Sequence, residues 1–216
     1  MTNSTPLIQF SDVSLSLENE PRLSNISFHI HRGECIHLTG PNGCGKSLVL
    51  ELLAGLRKPT SGEIFVAGDC INHFNTTELR LLRRSMGLML DGMVLLDDHT
   101  VIDNLLLSTA ISSESPWTAK KRALMALEKC GVSQVANKKP MALSAGQRQL
   151  VMLARAIINR PVCIVADEPV AHLDDINAQI LMDLFGVFVH AGVSVLIASH
   201  HLLPPKNTTV RTITLS

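Results

Sequence analysis

The octapeptide Gly40-Pro41-Asn42-Gly43-Cys44-Gly45-Lys46-Ser47 is a complete G-x-x-x-x-G-K-S loop. It lies between an apolar strand, Glu34 to Thr39, and a helix that begins near Lys46 and runs through Leu53. Few features restrict a fold as tightly, because strand, glycine loop and helix in that order build a phosphate cradle at a helix N-terminus. Glycines at 40, 43 and 45 let several N–H groups curl inward, where side chains would obstruct a bound phosphate. Lys46 is then expected to reach the β- and γ-phosphates, and Ser47 to offer its hydroxyl to magnesium. Cys44 occupies a free position of the loop and reads as a small filler, not a nucleophile.

A chain of 216 residues suits one α/β domain over 1–216, with an inserted helical lobe at about 92–142. Nineteen basic residues balance nineteen acidic ones, which gives no global reason to expect a nucleic-acid partner. No apolar run approaches bilayer length, and the start at Met1 to Pro6 lacks the pattern of a secretion signal, so a cytosolic protein is expected, at most recruited to a membrane. Mean hydropathy is nevertheless +0.24, which predicts apolar surface covered by another molecule. Five cysteines form no C-x-x-C pair, arguing against a zinc or disulfide framework; Cys35 and Cys163 read as core.

Residues 7–30 read as two antiparallel strand segments around Asn19-Glu20-Pro21, forming an edge that leads into the central strand. A turn at Pro59 to Gly62, a strand at 63–66, a helix at 77–84 and a strand at 86–90 follow. Pro116 and Gly131 bracket the best helix of the lobe. Ser144 and Gln147 form a capping-box pattern ahead of a mostly covered helix. The apolar run 162–166 predicts a central parallel strand ending in Asp167 and Glu168. A helix over 176–190 places Ile180, Leu184, Val187 and Phe188 on one side, and the strand 193–198 delivers Ser199 and His200 to the same sheet edge. A last strand spans 210–215.

Asp167 and Glu168 stand about 120 residues beyond the phosphate loop. Magnesium takes oxygen ligands and sheds water reluctantly, so Asp167 suits its coordination sphere. Glu168, one residue on, is placed to orient or deprotonate a water attacking the γ-phosphate. Leu143-Ser144-Ala145-Gly146-Gln147 makes a second anion-binding helix start. One triphosphate needs one cradle, so a second phosphate-reading turn predicts two copies that bind each other's nucleotide, with Asp174 and Asp175 at their seam. His200 either touches the γ-phosphate and the water or is satisfied by backbone.

In this order the pieces resemble the nucleotide-binding subunit of ABC-type ATPases, over nearly the whole chain. The correspondence runs through the phosphate loop at 40–47, Asp91 at the glutamine-loop position, the signature at 143–147, Asp167-Glu168, the D-loop at 171–174 and the switch histidine His200. The resemblance implies an α/β P-loop NTPase with a mixed central sheet, antiparallel N-terminal strands and a helical lobe. It further implies Mg2+ and ATP as cofactors, ATP hydrolysis, and a head-to-tail homodimer in the ATP-bound state. Ser144, Gly146, Gln147 and Asp174 then join the phosphate loop in holding nucleotide, Leu17 covers the base, and Asp91 joins Ser47 and Asp167 at the metal.

Arg83 to Gly87, Leu95-Leu96, Thr100 to Asn104, Leu173 to Asp175 and Leu184 to His200 resemble the bacterial cell-division subgroup of this family. Its members pair with the transmembrane protein FtsX on the cytoplasmic side of the inner membrane and govern cell-wall hydrolases. The lipoprotein-releasing and macrolide-export subgroups share much of the pattern, and a weakly active ATP-binding scaffold is a further alternative. Three positions depart from the family. Asp91 replaces glutamine, so it accepts hydrogen bonds without donating and repels phosphate unless a cation intervenes. Ala145 replaces a glycine, which predicts crowding at phosphate or unfavourable backbone angles. Leu17 replaces a base-stacking aromatic ring, and together these predict slow turnover. Met89, Met93, Val94, Leu95 and Leu96 form either a groove for a partner's helix or ordinary lobe core, and Trp117, the sole tryptophan, reads as a core anchor ahead of the alternative, a partner-facing hot spot.

Overall fold

The computed structural model describes residues 5–109, 114–201 and 203–215. The expectation drawn from the first few residues therefore lies partly outside it, at 1–4, as does the 110–113 stretch of the expected lobe.

Two sheets organise the chain. Strands β1 (Ile8–Leu17), β2 (Glu20–Ile30), β4 (Ser61–Val66) and β5 (Asp69–Cys70) form an antiparallel sheet in the order β2-β1-β4-β5. The connection from β1 to β2 places Glu18 and Asn19 at φ 51° and 66°, the left-handed conformation of tight hairpin turns. Strands β3 (Cys35–Thr39), β6 (Met86–Met89), β7 (Cys163–Asp167), β8 (Ser194–Ala198) and β9 (Val210–Thr214) form a parallel sheet in the order β6-β7-β8-β3-β9. The antiparallel strands thus hydrogen-bond among themselves, in a sheet of their own, and meet the parallel strands by packing.

That packing explains the unbroken apolar runs. Ile36, Leu38, Cys163, Val165 and Leu196 point into one core, shared with β1, β4 and α1 (Lys46–Leu53). Their neighbours Cys35, Ile164, Ala166, Val195 and Ile197 point into the other, shared with the helices on the far face. A strand covered on both faces has no side for polar residues. Burial raises the thiols of Cys35 to about 11 and Cys163 to about 12, which keeps both as inert core side chains.

Helix α2 (Thr76–Ser85) precedes β6, and α3 (Val101–Leu107), α4 (Pro116–Lys129) and α5 (Ala145–Ile157) lie between β6 and β7. Asn75, Thr100 and Ser144 each close a reciprocal capping box, and Pro116 sits at the first position of α4 with Ser115 as its cap. Trp117 is 73% exposed, because α4 turns Ala119, Ala123, Ala126 and Leu127 to the core instead. Helix α6 (Asp175–His190) buries Ala178, Leu181, Met182 and Phe185; of the apolar side picked out by periodicity, Leu184 and Phe188 are half-buried against the core, whereas Ile180 and Val187 are exposed. Among the described residues no helix is long and apolar enough to cross a membrane.

Candidate active site

The phosphate loop links β3 to α1 at the carboxyl edge of the parallel sheet. Gly45 caps α1 at φ 97° with no side-chain hydrogen bond, and the first turn holds no acidic residue, so its free N–H donors face outward. Glycine is required here by space as well as by φ: a Cβ on Gly45 would lie 2.4 Å from Leu23 Cδ2, and one on Gly40 would lie 2.6 Å from Cys44 Sγ and from the Leu215 carbonyl oxygen. Cys44 therefore fills the loop's interior, as its sequence position suggests.

Lys46 is 7% exposed, and its Nζ donates to the Gly40 and Pro41 carbonyls at 3.0 and 3.2 Å. Among the described residues no carboxylate lies within ion-pair distance of it. A nearly buried ammonium held by carbonyls alone, beside an uncapped helix start, fits a strongly anionic ligand.

Across the cleft, Asp167 closes β7 and its carboxylate accepts a hydrogen bond from Ser47. Burial raises its pKa; the Ser47 bond and the Lys46 charge oppose that rise, while the neighbouring charges of Glu168 and Asp91 add to it. Asp91 stands in the exposed turn after β6, its Oδ1 accepting from the Gly92 N–H at 2.9 Å. The hydrogen-bonded Ser47–Asp167 pair supplies the hard oxygen donors magnesium takes, and the negative charge of Asp91 acts on the same carboxylate. Among the described residues no three His, Cys, Asp or Glu side chains form a metal cage.

Glu168 leaves the strand in the left-handed region, at φ 41°, a conformation that non-glycine residues adopt at a cost of about 1–2 kcal/mol. Its N–H donates to the Ala198 carbonyl at 2.8 Å, and its Oε1 accepts from the His200 N–H at 3.0 Å with the His200 ring Nε2 at 3.5 Å. His200 is thus tied to the Glu168 carboxylate by its own N–H, and its ring stands beside the same carboxylate with no backbone acceptor among the described residues. The buried His37 supports this corner from below, its Nε2 lying 3.1 Å from the Ser199 carbonyl oxygen and 3.0 Å from Ser199 Oγ.

The signature turn stands apart. Ser144 caps α5, with Gln147 returning to its N–H, and no hydrogen bond or ion pair among the described residues joins 144–147 to 40–47. Ala145, exposed at the first helical position, has no positive φ, so the expected backbone strain is absent and only its outward methyl distinguishes it from glycine. Gly146 packs against Asn177, whose Nδ2 donates to Asp174 Oδ2 at 2.6 Å and whose N–H donates to Asp174 Oδ1 at 2.9 Å. Asp174 is therefore the cap of α6, both oxygens engaged. Leu17 ends β1 opposite Glu20, half-buried against the core.

Sequence reasoning missed three positioning residues: His37, Asn177 and Gln149, whose Nε2 donates to the Pro169 carbonyl at 2.7 Å and ties α5 to the turn after Glu168. Each acts over a long separation, so no local pattern signals it.

Glycine loop, buried lysine and carboxylate pair at one sheet edge define a P-loop nucleoside triphosphatase with Mg-ATP as its ligand. A family model described as ABC transporter matches residues 23–171, and the chain belongs to that family as an ATP-binding, ATP-hydrolysing subunit. Among curated proteins it is 36% identical over 211 residues to the cell division ATP-binding protein FtsE of Escherichia coli (strain K12), covering 97% of this chain and 95% of that one. It is 39% identical over 182 residues to the lipoprotein-releasing system ATP-binding protein LolD of Buchnera aphidicola subsp. Schizaphis graminum (strain Sg), covering 83% and 80%. Among solved structures, the dimer of MJ0796, a bacterial ABC transporter cassette, superimposes with a TM-score of 0.85 at 28% identity, over 96% of this chain and 94% of that one.

Proposed function

We propose that the chain is the ATPase subunit of a membrane complex of the cell-division type, working as an ATP-closed homodimer beneath an FtsX-like transmembrane partner. The observation that carries the ATPase half is the Lys46 ammonium, nearly buried and without a carboxylate, facing the Ser47–Asp167 pair and the strained Glu168.

In this reading Lys46 exchanges its two carbonyl acceptors for phosphate oxygens, and the α1 N-terminus receives the rest of the anionic charge. Magnesium, when bound, supplies concentrated positive charge at those oxygens, with Ser47 and Asp167 as the residues to hold it and Asp91 beside them. Glu168 accepts a proton from the attacking water, and the His200 N–H and ring keep that carboxylate aimed. Leu17 covers the base, and Ser144, Gly146 and Gln147 of a second copy close the far side, with Asp174 shaping the neighbouring turn. Dimer closure then depends on ATP, and phosphate release loosens it.

The membrane half rests on a cleft of about 490 Å³ between α2, β6, α3 and α5. Met93, Val94, Leu96 and Leu107 line it; Val94 is 70% exposed, while Met89 and Leu95 belong to the core. A cleft that combines these apolar side chains with Arg80, Arg83, Arg84 and Arg155 suits an amphipathic helix of a partner, and docking there would hold the protein peripherally on the cytoplasmic face of the bacterial inner membrane. A lipoprotein-releasing role is the second reading, favoured by the LolD likeness.

Co-purification from membranes, followed by ATPase assay with and without the recovered partner, tests both. An FtsX-like partner that stimulates hydrolysis supports the division reading, and a lipoprotein-release permease supports the second. Absence of turnover above a Glu168→Gln control, with partner present, overturns the enzymatic assignment.

A further inference from the structure

On the opposite side of the molecule from the phosphate loop, a second cleft of about 470 Å³ opens between α4, the end of α5 and α6. Its floor reaches the core at Ala126, Ile158 and Ile164, and its α6 wall is built by Leu184, Val187 and Phe188. This wall belongs to the apolar side that periodicity picks out, and Val187 is 60% exposed on it. Among the described residues the charged side chains that line the cleft are Arg122, Lys129 and Arg160, with no acid.

The three cations differ in what already holds them. Arg122 pairs with Glu114 at 2.7 Å and reaches Asn159 at 2.8 Å. Lys129 and Arg160, both exposed, make no ion pair among the described residues. Arg160 follows α5 at φ 53°, where glycine is the ordinary occupant. A cation is thus kept at the mouth in a conformation that disfavours it.

We infer that this cleft binds a single-chain anionic amphiphile, an acyl chain lying on the apolar floor with its carboxylate or phosphate head between Lys129 and Arg160. Volume, apolar lining and a few convergent polar groups match a small-ligand site. The one-signed rim selects an anion, and the depth of the floor favours an aliphatic chain over a purely ionic ligand. This inference is independent of the ATPase assignment, since no lining residue belongs to the phosphate loop, the carboxylate cluster or the signature turn.

The test is calorimetric titration of the full chain with monomeric laurate, dodecyl phosphate and dodecanol, each below its aggregation threshold. Saturable binding of the two anions at one site, at least tenfold tighter than dodecanol, is expected. The Lys129→Glu/Arg160→Glu double variant, altered only at exposed positions, should weaken anion binding at least tenfold while leaving ATP binding unchanged. Val187→Asp should weaken all three ligands. Equal affinity for dodecanol, no effect of charge reversal, or no saturable binding overturns the proposal. So does binding to anionic phospholipid vesicles without binding to monomeric laurate, which would make the surface a membrane contact.

Discussion

Gly146 is the position where packing and the signature turn are most tightly joined. A methyl carbon there would lie 2.6 Å from both Cγ and Oδ1 of Asn177 and 3.1 Å from its Cβ. Ordinary carbon contacts begin near 3.5 Å, so the gap must open by about 1 Å. A rotamer change of Asn177 relieves the first two contacts but not the third, and it sacrifices the Asn177 Nδ2 bond to Asp174. Overpacking costs about 1–3 kcal/mol and the lost bond about 1, while alanine regains about 0.5–1 over glycine inside a helix. Gly146→Ala is therefore expected to destabilise by about 2 kcal/mol, a fall in Tm of about 4–8 °C for a chain of this size. Urea unfolding at constant m-value reads this directly. Asn177→Ala should remove most of the clash, so the double variant should lie within about 0.5 kcal/mol of Asn177→Ala alone. A stability of Gly146→Ala within 0.5 kcal/mol of the parent, or an undiminished penalty in the double variant, would refute the contact as argued.

Other consequences concern charge and backbone. Burial pushes the Glu34 carboxyl up, but the Arg211 guanidinium at 2.8 Å and the His31 N–H outweigh it and hold the pKa below its ordinary value. Its stabilisation is present above the unfolded pKa and lost as pH falls through the folded one, so Glu34→Gln should cost about 1 kcal/mol at pH 7 and nothing once both forms are protonated, as thermal melts across pH would show. Glu168→Gly should be about 1 kcal/mol more stable than Glu168→Ala, because both lose the acceptor for His200 but only glycine relieves φ 41°; equal melting curves would contradict this. Asp91→Gln should raise ATPase turnover at matched magnesium, since it removes one of the like charges facing Asp167; identical rates would remove Asp91 as a cause of slow turnover.

The elements legible in the sequence are those specified by local chemistry. Ser144 and Gln147 form the box their spacing announces, and the run at 163–166 is apolar because both faces of β7 are covered. Helix α6 shows where this fails. It carries apolar residues around most of its circumference, so periodicity offers several faces, and the core took the one with Ala178, Leu181, Met182 and Phe185. Trp117 was misplaced for a related reason: size argues for burial, yet α4 closes on its neighbours through small alanines at 119, 123 and 126. At the site, the phosphate loop and the Asp167–Glu168 strand end were legible as motifs. The φ of Glu168, the His37–Ser199 contact and the Gln149 and Asn177 bridges depend on tertiary placement, which no spacing encodes.

The two-copy reading depends on Ser144 of one chain completing the phosphate site of another, and molar mass by light scattering on Glu168→Gln with saturating Mg-ATP measures it. Twice 23.5 kDa is expected, reverting to a single chain when Ser144→Arg is added. A single-chain mass for Glu168→Gln at saturation, with or without a membrane partner, would contradict the account.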